Sequence, residues 1–364
     1  MKIDILSDRR DGQGGMESVF TLLSKELELR GCDVRVVLTE PSTKIAWEST
    51  LSGRVEHITE DQEWVDTSNY QRYLRNRGIE VELFYKTTKK PDVVIVATRG
   101  FEVPVRNALG KNVLILSWPH VNLNLYLHLA DDAGHITKAA DGFLAISDSI
   151  RKQSERKDPL LPTFSIGNPV NLDVLSIPRP IDVPSFVYIG RITEQKRVDW
   201  IIRAFADLNR KSWKLKIIGD GDLECQISQL AKQLSVYDRI EWLPFQENPW
   251  EQVKQASVVL LSSWFEGFPV VILEALARGV PVIATDCPTG PSDIIKDGEN
   301  GYLVGVEDYD AFVDTILDII DGNLELPEPD ICRASVEMYE TAVVVDRLLS
   351  AIRTLQQQGE VLVK

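Results

Sequence analysis

Glu266 and Glu274 stand eight residues apart around the run Gly267-Phe268-Pro269-Val270-Val271. Pro269 suits the first turn of a helix and Gly279 its exit, so Glu266 falls in the loop before that helix and Glu274 on it. A loop carboxylate in this position accepts hydrogen bonds from sugar hydroxyls, and a helix carboxylate does the same for a ribose. The leading amides of Val270 and Val271 have no partner within a helix and point toward any bound phosphate. Two cations, Arg191 and Lys196, follow Gly190 at the end of the apolar run Phe186–Ile189. Cations placed there clamp a diphosphate and neutralise the charge that develops as it leaves. Taken singly, each pair has a plainer reading: two glutamates at that spacing arise by chance, and a loop Arg or Lys is ordinary surface charge.

Two further features point the same way. Gly14 and Gly15 follow the first apolar run and lead into a helical pattern, where backbone amides and the helix N-terminus favour an anion. A dinucleotide fingerprint wants a third glycine at position 17; Glu17 stands there, which disfavours a dinucleotide but not a phosphate. His120, in Ser117-Trp118-Pro119-His120 just past another apolar run, is placed to hydrogen-bond a substrate hydroxyl; a histidine satisfied within the fold is the plainer alternative. The other histidines are His57, His128 and His135, and no Gly-x-Ser-x-Gly elbow supplies a nucleophile, so a serine hydrolase is disfavoured. Together these features converge on a nucleoside diphosphate carrying a sugar.

The elements that must position these residues alternate along the chain. Ile3–Leu6, Val34–Leu38, Val93–Ala97, Val113–Leu116, Phe186–Ile189, Leu215–Ile218, Ile240–Trp242, Val258–Leu261 and Val280–Ala284 are short apolar runs without polar alternation. Such runs are parallel strands buried on both faces. Met16–Arg30, Val198–Asn209 and Leu223–Leu234 have helical period, and a long helical pattern runs from Ala334 to about Gln358. The alternation predicts an α/β fold of doubly wound sheets, whose ligands bind beyond the carboxyl ends of the strands. A Pro-rich stretch from Asn168 to Pro184 reads as a linker. It separates a first Rossmann-like domain, 1–169, from a second, 170–342, with the helix of about 343–364 packing back on the first.

At 364 residues, 44% hydrophobic and 26% charged, the chain has the balance of a soluble globular protein. The four cysteines (Cys32, Cys225, Cys287, Cys332) form no C-x-x-C pair, which fits buried thiols in a reducing cytoplasm and neither disulfides nor a zinc site. The start of the chain does not read as a secretory signal, and the charge-free run from Asn112 to Ala130 is too polar to span a membrane. The net charge of −15 opposes nucleic acid. It is unevenly spread. Residues 297–340 hold thirteen acids against Arg333, a solvated helical face, whereas residues 71–111 carry nine bases against four acids. That basic stretch would let the first domain meet an anionic acceptor or inner-leaflet phospholipid, although ordinary surface charge is the plainer reading.

The combination Gly14-Gly15-x-Glu17, Gly190-Arg191-x4-Lys196 and Glu266-Gly267-Phe268-Pro269-x4-Glu274 resembles the family-4 retaining glycosyltransferases of the GT-B fold. The stretches Ser117–His120, Gly219–Asp222, Phe265–Pro269 and Asp286–Ile295 are similar to the lipopolysaccharide-core galactosyltransferases that use UDP-galactose. The likeness is densest from Phe186 to Val304; residues 41–90, where this family shapes its acceptor site, carry no matching motif. The resemblance implies two Rossmann-like domains facing across a cleft. It also implies transfer of a hexose, galactose or glucose, from a UDP-sugar to a glycan, glycolipid or glycoprotein in cell-surface polysaccharide or glycoconjugate synthesis.

By the same resemblance Arg191 and Lys196 hold the diphosphate, Glu274 bonds the ribose, and Glu266 with the Gly267–Phe268 backbone holds the donor sugar. His120 reaches a sugar hydroxyl and Gly15 touches the phosphate. The anomeric configuration is kept by front-face displacement, the leaving phosphate taking the acceptor's proton, so the paired carboxylates of glycosidases are not needed. No cofactor or divalent metal is expected, the two cations serving instead; Asp220-Gly221-Asp222 reads as the end of a strand. One departure is Arg197, where many relatives have glycine after the lysine. Two other classes compete: a non-catalytic GT-B partner subunit, which should have lost these contacts, and a sugar-nucleotide epimerase, which needs no acceptor.

Overall fold

A computed structural model describes residues 1–8, 14–42, 45–60, 70–120, 122–123 and 139–362. Asp11, Gly12 and Gln13 of the first glycine run lie outside the described residues, as do His128 and His135. The chain divides into two units, Met1–Pro169 with Thr341–Lys364, and Val170–Glu340.

In the first unit the order is β1 (Lys2–Ser7), α1 (Gly15–Leu29), β2 (Asp33–Leu38), α2 (Ile45–Glu48), β3 (Arg54–His57), α3 (Tyr70–Thr87), β4 (Val93–Val96), α4 (Glu102–Leu109), β5 (Leu114–Ser117), β6 (Gly142–Ala145), α5 (Asp148–Lys157) and β7 (Thr163–Ser165). Among the described residues the seven strands are all parallel, in the order β3-β2-β1-β4-β5-β6-β7. Strand order therefore reverses at β1 and β4, the crevice where such sheets bind ligands. β4 is buried at every position, as a strand covered on both faces must be. Leu6, Val37, Val94 and Val96 pack there with Val81 and Tyr85 of α3 and Val105 of α4.

The second unit repeats the plan: β8 (Ser185–Ile189), α6 (Val198–Asp207), β9 (Lys214–Ile218), α7 (Glu224–Gln233), β10 (Ile240–Leu243), β11 (Val258–Leu261), α8 (Val270–Ala277), β12 (Val282–Thr285), α9 (Pro291–Ile294), β13 (Gly301–Val304), α10 (Tyr309–Asp321) and α11 (Pro329–Ala334). Its six parallel strands run β10-β9-β8-β11-β12-β13, so order reverses at β8 and β11. α6 shows how sequence period becomes packing. Val198, Ile201, Ile202 and Phe205 share one stripe and are buried against Phe186, Leu215 and Phe312. Each such side chain contributes about 1.5–3 kcal/mol by leaving water.

The last helix, α12 (Thr341–Leu362), belongs to the first unit, where Asp346 pairs with Arg30 at 2.5 Å and Leu355 packs over Gly142. The helical pattern expected from Ala334 is broken instead: α11 ends there, a short 3-10 turn covers Glu337–Tyr339, and the long helix starts at Thr341. The Pro-rich stretch is likewise not a free linker. Val170 bonds Tyr339, Ile177 bonds Arg278 and the Pro178 carbonyl accepts from Ala256, so the segment is an irregular strap on the second unit. Four strands escape a search for apolar runs: β3, β6, β7 and β13 are short, and β3, β7 and β13 are edge strands. Among the described residues no helix is long and apolar enough to cross a membrane. The cysteines are free; Cys287 and Cys332 are buried, but Cys225 is exposed and Cys32 half-buried, which corrects the expectation of four buried thiols.

Candidate active site

The two motifs of the second unit meet because of its strand order. β8 and β11 are neighbours at the reversal point, so the loop after β8, carrying Arg191 and Lys196, lies beside the loop after β11, carrying Glu266. Lys196 Nζ donates to Glu266 Oε1 at 2.6 Å across 70 residues of sequence, and the two side chains are 15% and 8% exposed. Ser263 Oγ donates to the same Oε1 at 2.5 Å, which leaves Oε2 without a hydrogen bond from any described residue. Thr289 Oγ1 donates to the Glu266 carbonyl and fixes the loop from the β12 side. Cys287, nearby and buried, has its thiol pushed up to about 12 by burial and then by the Glu266 charge, so it stays protonated.

Arg191 is exposed, and among the described residues its guanidinium has no ion-pair or hydrogen-bond partner. Its main chain is held firmly. The buried Tyr188 hydroxyl donates to the Arg191 carbonyl at 2.6 Å, and Ile192 N donates to the Asp220 carbonyl at 2.7 Å. Gly219, at φ 145°, allows this approach: a Cβ there would sit 2.0 Å from the Gly190 carbonyl oxygen. The Asp220-Gly221-Asp222 segment therefore buttresses the Arg191 loop.

Helix α8 starts where Pro269 predicts, with Pro269 at its N-cap and Val270 and Val271 as its first residues. Gly267 is half-buried. Phe268 is buried with its ring 5.3 Å from Tyr339, so only its backbone is available to a ligand. Glu274 Oε2 accepts from Trp250 Nε1 at 2.9 Å, and Oε1 has no partner among the described residues. Burial raises the Glu274 carboxyl above its ordinary range, opposed by the Trp250 hydrogen bond and by Arg278. Sequence reasoning missed Trp250, Tyr188, Ser263 and Thr289. Only Ser263, a small polar residue just beyond an apolar strand, carried a local signal.

The remaining candidates lie in the first unit. Gly14 caps α1 and Gly15 begins it, at the carboxyl end of β1. Glu17 is buried, and a Cβ on residue 14 would meet its Oε2 at 2.8 Å. Gly14 thus makes room for a carboxylate at the helix N-terminus, where the dipole favours it. His120 is half-buried with its ring edge-on to Trp118, centroids 4.2 Å apart. Glu102, fully buried, accepts from Ser117 Oγ at 2.6 Å and from Gly100 N at 2.8 Å, and so anchors the segment that presents Trp118 and His120. Burial raises its carboxyl above the ordinary range despite these bonds.

The basic stretch 71–111 divides. Arg77 is buried against Glu40 and Glu80, and Arg106 bonds Asp141 and the Ala139, Gly110 and Val113 carbonyls. Arg72, Arg75, Lys86, Lys89, Lys90 and Lys111 are exposed, and on α3 Ile79 and Leu83 are exposed among them at 68% and 61%.

The model of the family "Glycosyl transferases group 1" matches residues 176–338. The chain is 31% identical to the lipopolysaccharide 1,6-galactosyltransferase of Escherichia coli (strain K12), over 97% of this chain and 98% of that protein. Identity and coverage are the same for the lipopolysaccharide 1,6-galactosyltransferase of Salmonella typhimurium. Among solved structures, the apo form of the lipopolysaccharide outer core galactosyltransferase WaaB is similar with a TM-score of 0.77 and 27% identity, over 97% and 99% of the two chains. Anabaena Alr3699/HepE in complex with UDP-glucose shares the fold at a TM-score of 0.74 and 17% identity, over 97% and 100%. The two parallel-sheet units are those of the GT-B class.

Proposed function

The chain belongs to the group 1 glycosyl transferases, and on that premise we propose that it moves a hexose, galactose or glucose, from a UDP-sugar to a glycan or lipid-linked acceptor in cell-surface polysaccharide synthesis. The observation that carries this reading is the Lys196–Glu266 pair, with Arg191, unpartnered among the described residues, on the same loop at the point where strand order reverses. Arg191 and Lys196 hold the diphosphate, and the leading amides of α8 add positive potential. Oε2 of Glu266 accepts a donor-sugar hydroxyl, with the Gly267 and Phe268 backbone alongside. Oε1 of Glu274 accepts from the ribose while Trp250 fixes its orientation.

Transfer proceeds with retention and without a metal. The bond between the anomeric carbon and the diphosphate oxygen breaks as the acceptor oxygen attacks from the same face. The acceptor proton passes to the leaving phosphate, whose charge Arg191 and Lys196 stabilise. Two features support this mechanism: one oxygen of Glu266 is neutralised by Lys196 and Ser263, which lowers its nucleophilicity, and Arg191 and Lys196 supply the positive charge that a leaving diphosphate needs. The reaction takes place in the cytoplasm at the inner membrane face, where the exposed cations of α3 beside Ile79 and Leu83 meet anionic lipid.

The test is UDP release across a panel of UDP-sugars, with and without glycan and lipid-linked acceptors, and with anomeric analysis of the product. Acceptor-dependent release with retention, unaffected by chelator, is expected. A rearranged sugar nucleotide formed without acceptor would instead identify an epimerase, and no turnover of any donor would leave a non-catalytic partner subunit.

A further inference from the structure

We infer that Arg197 is a positioning residue of the donor site, a clamp that holds the Lys196 loop against the Glu266 loop. Arg197 adopts the left-handed conformation, φ 50° and ψ 47°. Glycine takes that conformation without steric penalty and arginine does not, so a turn needed only for its shape would carry glycine. What arginine adds is its side chain. The guanidinium carbon lies 3.2 Å from the centre of the Trp200 ring and 3.8 Å from that of Trp264. A planar cation is thus held between two indoles, one on α6 and one on the loop after β11. Nη1 donates to the Val306 carbonyl. The residue is 3% exposed, and among the described residues no carboxylate pairs with it. A buried cation without a paired carboxylate is costly to hold, and the two ring faces compensate together with the Val306 carbonyl and the nearby Asp199 and Glu307 charges.

Both ends of the clamp belong to the site. Arg197 directly follows Lys196, and Trp264 precedes Glu266 by two residues. The main chains of the two loops are stitched together around it. Trp264 N donates to the Gln195 carbonyl at 2.9 Å, Gln195 Nε2 to the Phe265 carbonyl at 2.7 Å, and Ser262 Oγ to the Lys196 and Arg197 carbonyls at 2.8 and 2.9 Å. The guanidinium completes this seam on the side-chain level and so sets where Lys196 points. The inference rests on the proposed role of Lys196 in holding the diphosphate.

Arg197→Gly is the informative change, because glycine suits the left-handed backbone and what the folded state loses is the side-chain clamp. UDP and uridine binding are measured by calorimetry, together with kcat and donor KM from UDP release, and thermal unfolding. In R197G the midpoint stays within about 3 °C of the parent, relief of the left-handed strain offsetting the lost contacts. UDP affinity falls at least fivefold and kcat at least tenfold, while uridine binding, which does not use Lys196, is unchanged. Arg197→Lys does not rescue, since an ammonium cannot stack between two planes. Trp264→Ala reproduces the pattern, and the double variant falls no further than either single one, as members of one contact should. R197G that binds UDP and turns over like the parent overturns the proposal. So does a parallel loss of UDP and uridine binding with a collapsed midpoint, the mark of a merely structural residue. A parent protein that binds no UDP defeats the functional reading itself, a result distinct from a parent that binds and a variant that binds equally well.

Discussion

Lys196→Met should destabilise the second unit by about 3 kcal/mol and reduce transfer at least about a hundredfold. The first figure follows from the geometry of the pair, 2.6 Å between Nζ and Oε1 with 15% and 8% side-chain exposure. At an effective dielectric constant of about 20, opposite charges roughly 3 Å apart attract by about 5 kcal/mol. Desolvating both ions returns most of that, so the intact pair is worth little in net terms. Removing the cation alone strands Glu266 with Ser263 Oγ as its remaining side-chain donor among the described residues, and breaking a buried pair in this way costs about 3–5 kcal/mol. Ser263 and the uncommitted Oε2 put the cost at the low end. Adding Glu266→Gln removes the stranded charge, so the double variant K196M/E266Q should recover about 2 kcal/mol. In a unit of this size each kcal/mol moves the midpoint by about 2–4 °C. Calorimetry of the parent, both single variants and the double variant measures the coupling, and UDP release measures transfer. Stability should return in the double variant while turnover does not. Stabilities that add within about 0.5 kcal/mol would refute the ion pair, and restored turnover would refute the role of Lys196.

Two further outcomes follow from groups outside the donor loops. Vesicles containing anionic phospholipid should retain the chain at low ionic strength and release it above about 0.5 M salt; the I79D/L83D variant should bind several-fold more weakly with an unchanged midpoint, and equal binding to neutral vesicles would remove the case for the basic face. Because burial raises the Glu102 carboxyl in the folded state, its stabilising contribution is present at low pH and lost as pH rises through the raised value. The midpoint of the parent should therefore gain on that of E102Q as pH falls from neutral toward the ordinary carboxylate range, and a gap that stays constant would contradict the raised value.

What was legible in the sequence was whatever is encoded locally. Val93–Val96 and Val258–Leu261 announce buried parallel strands because each residue is apolar and β-branched or leucine. Pro269 marks the start of α8 because proline lacks an amide and the N-cap amide has no partner within a helix. The Lys196–Glu266 contact is not encoded locally. It exists because β11 inserts beside β8, and no property of residues 190–197 or 262–269 taken alone says so. The same holds for Trp250 on Glu274, which crosses 24 residues from one turn to a helix. Glu17 shows a third situation. Its position reads as a missing glycine, whereas the fold uses Gly14 to seat the Glu17 carboxylate at the start of α1, a matter of side-chain volume that motif spacing does not express. Arg197 is of the same kind: an apparent departure from a glycine turn whose explanation lies in two indoles from different elements.

The pairing of Lys196 with Glu266 also links the two halves of the donor. A diphosphate that takes Lys196 competes with Glu266 for that ammonium and meets the repulsion of its carboxylate, whereas a sugar hydroxyl donating to Glu266 offsets the loss. Replacing Glu266 by Gln should therefore move two quantities in opposite directions. UDP, which brings charge but no sugar, should bind about three- to tenfold more tightly, because removing one negative charge a few ångströms away is worth about 1 kcal/mol at partly hydrated distances. Transfer should fall at least about a hundredfold, because the carboxylate that orients the hexose is gone. Calorimetric titration with UDP alone, set beside turnover with the preferred UDP-sugar, separates the two. An E266Q protein that loses UDP affinity along with transfer would mean that Glu266 supports the diphosphate site rather than opposing it. The 2.6 Å contact would then be a brace for Lys196 and not a competitor for it.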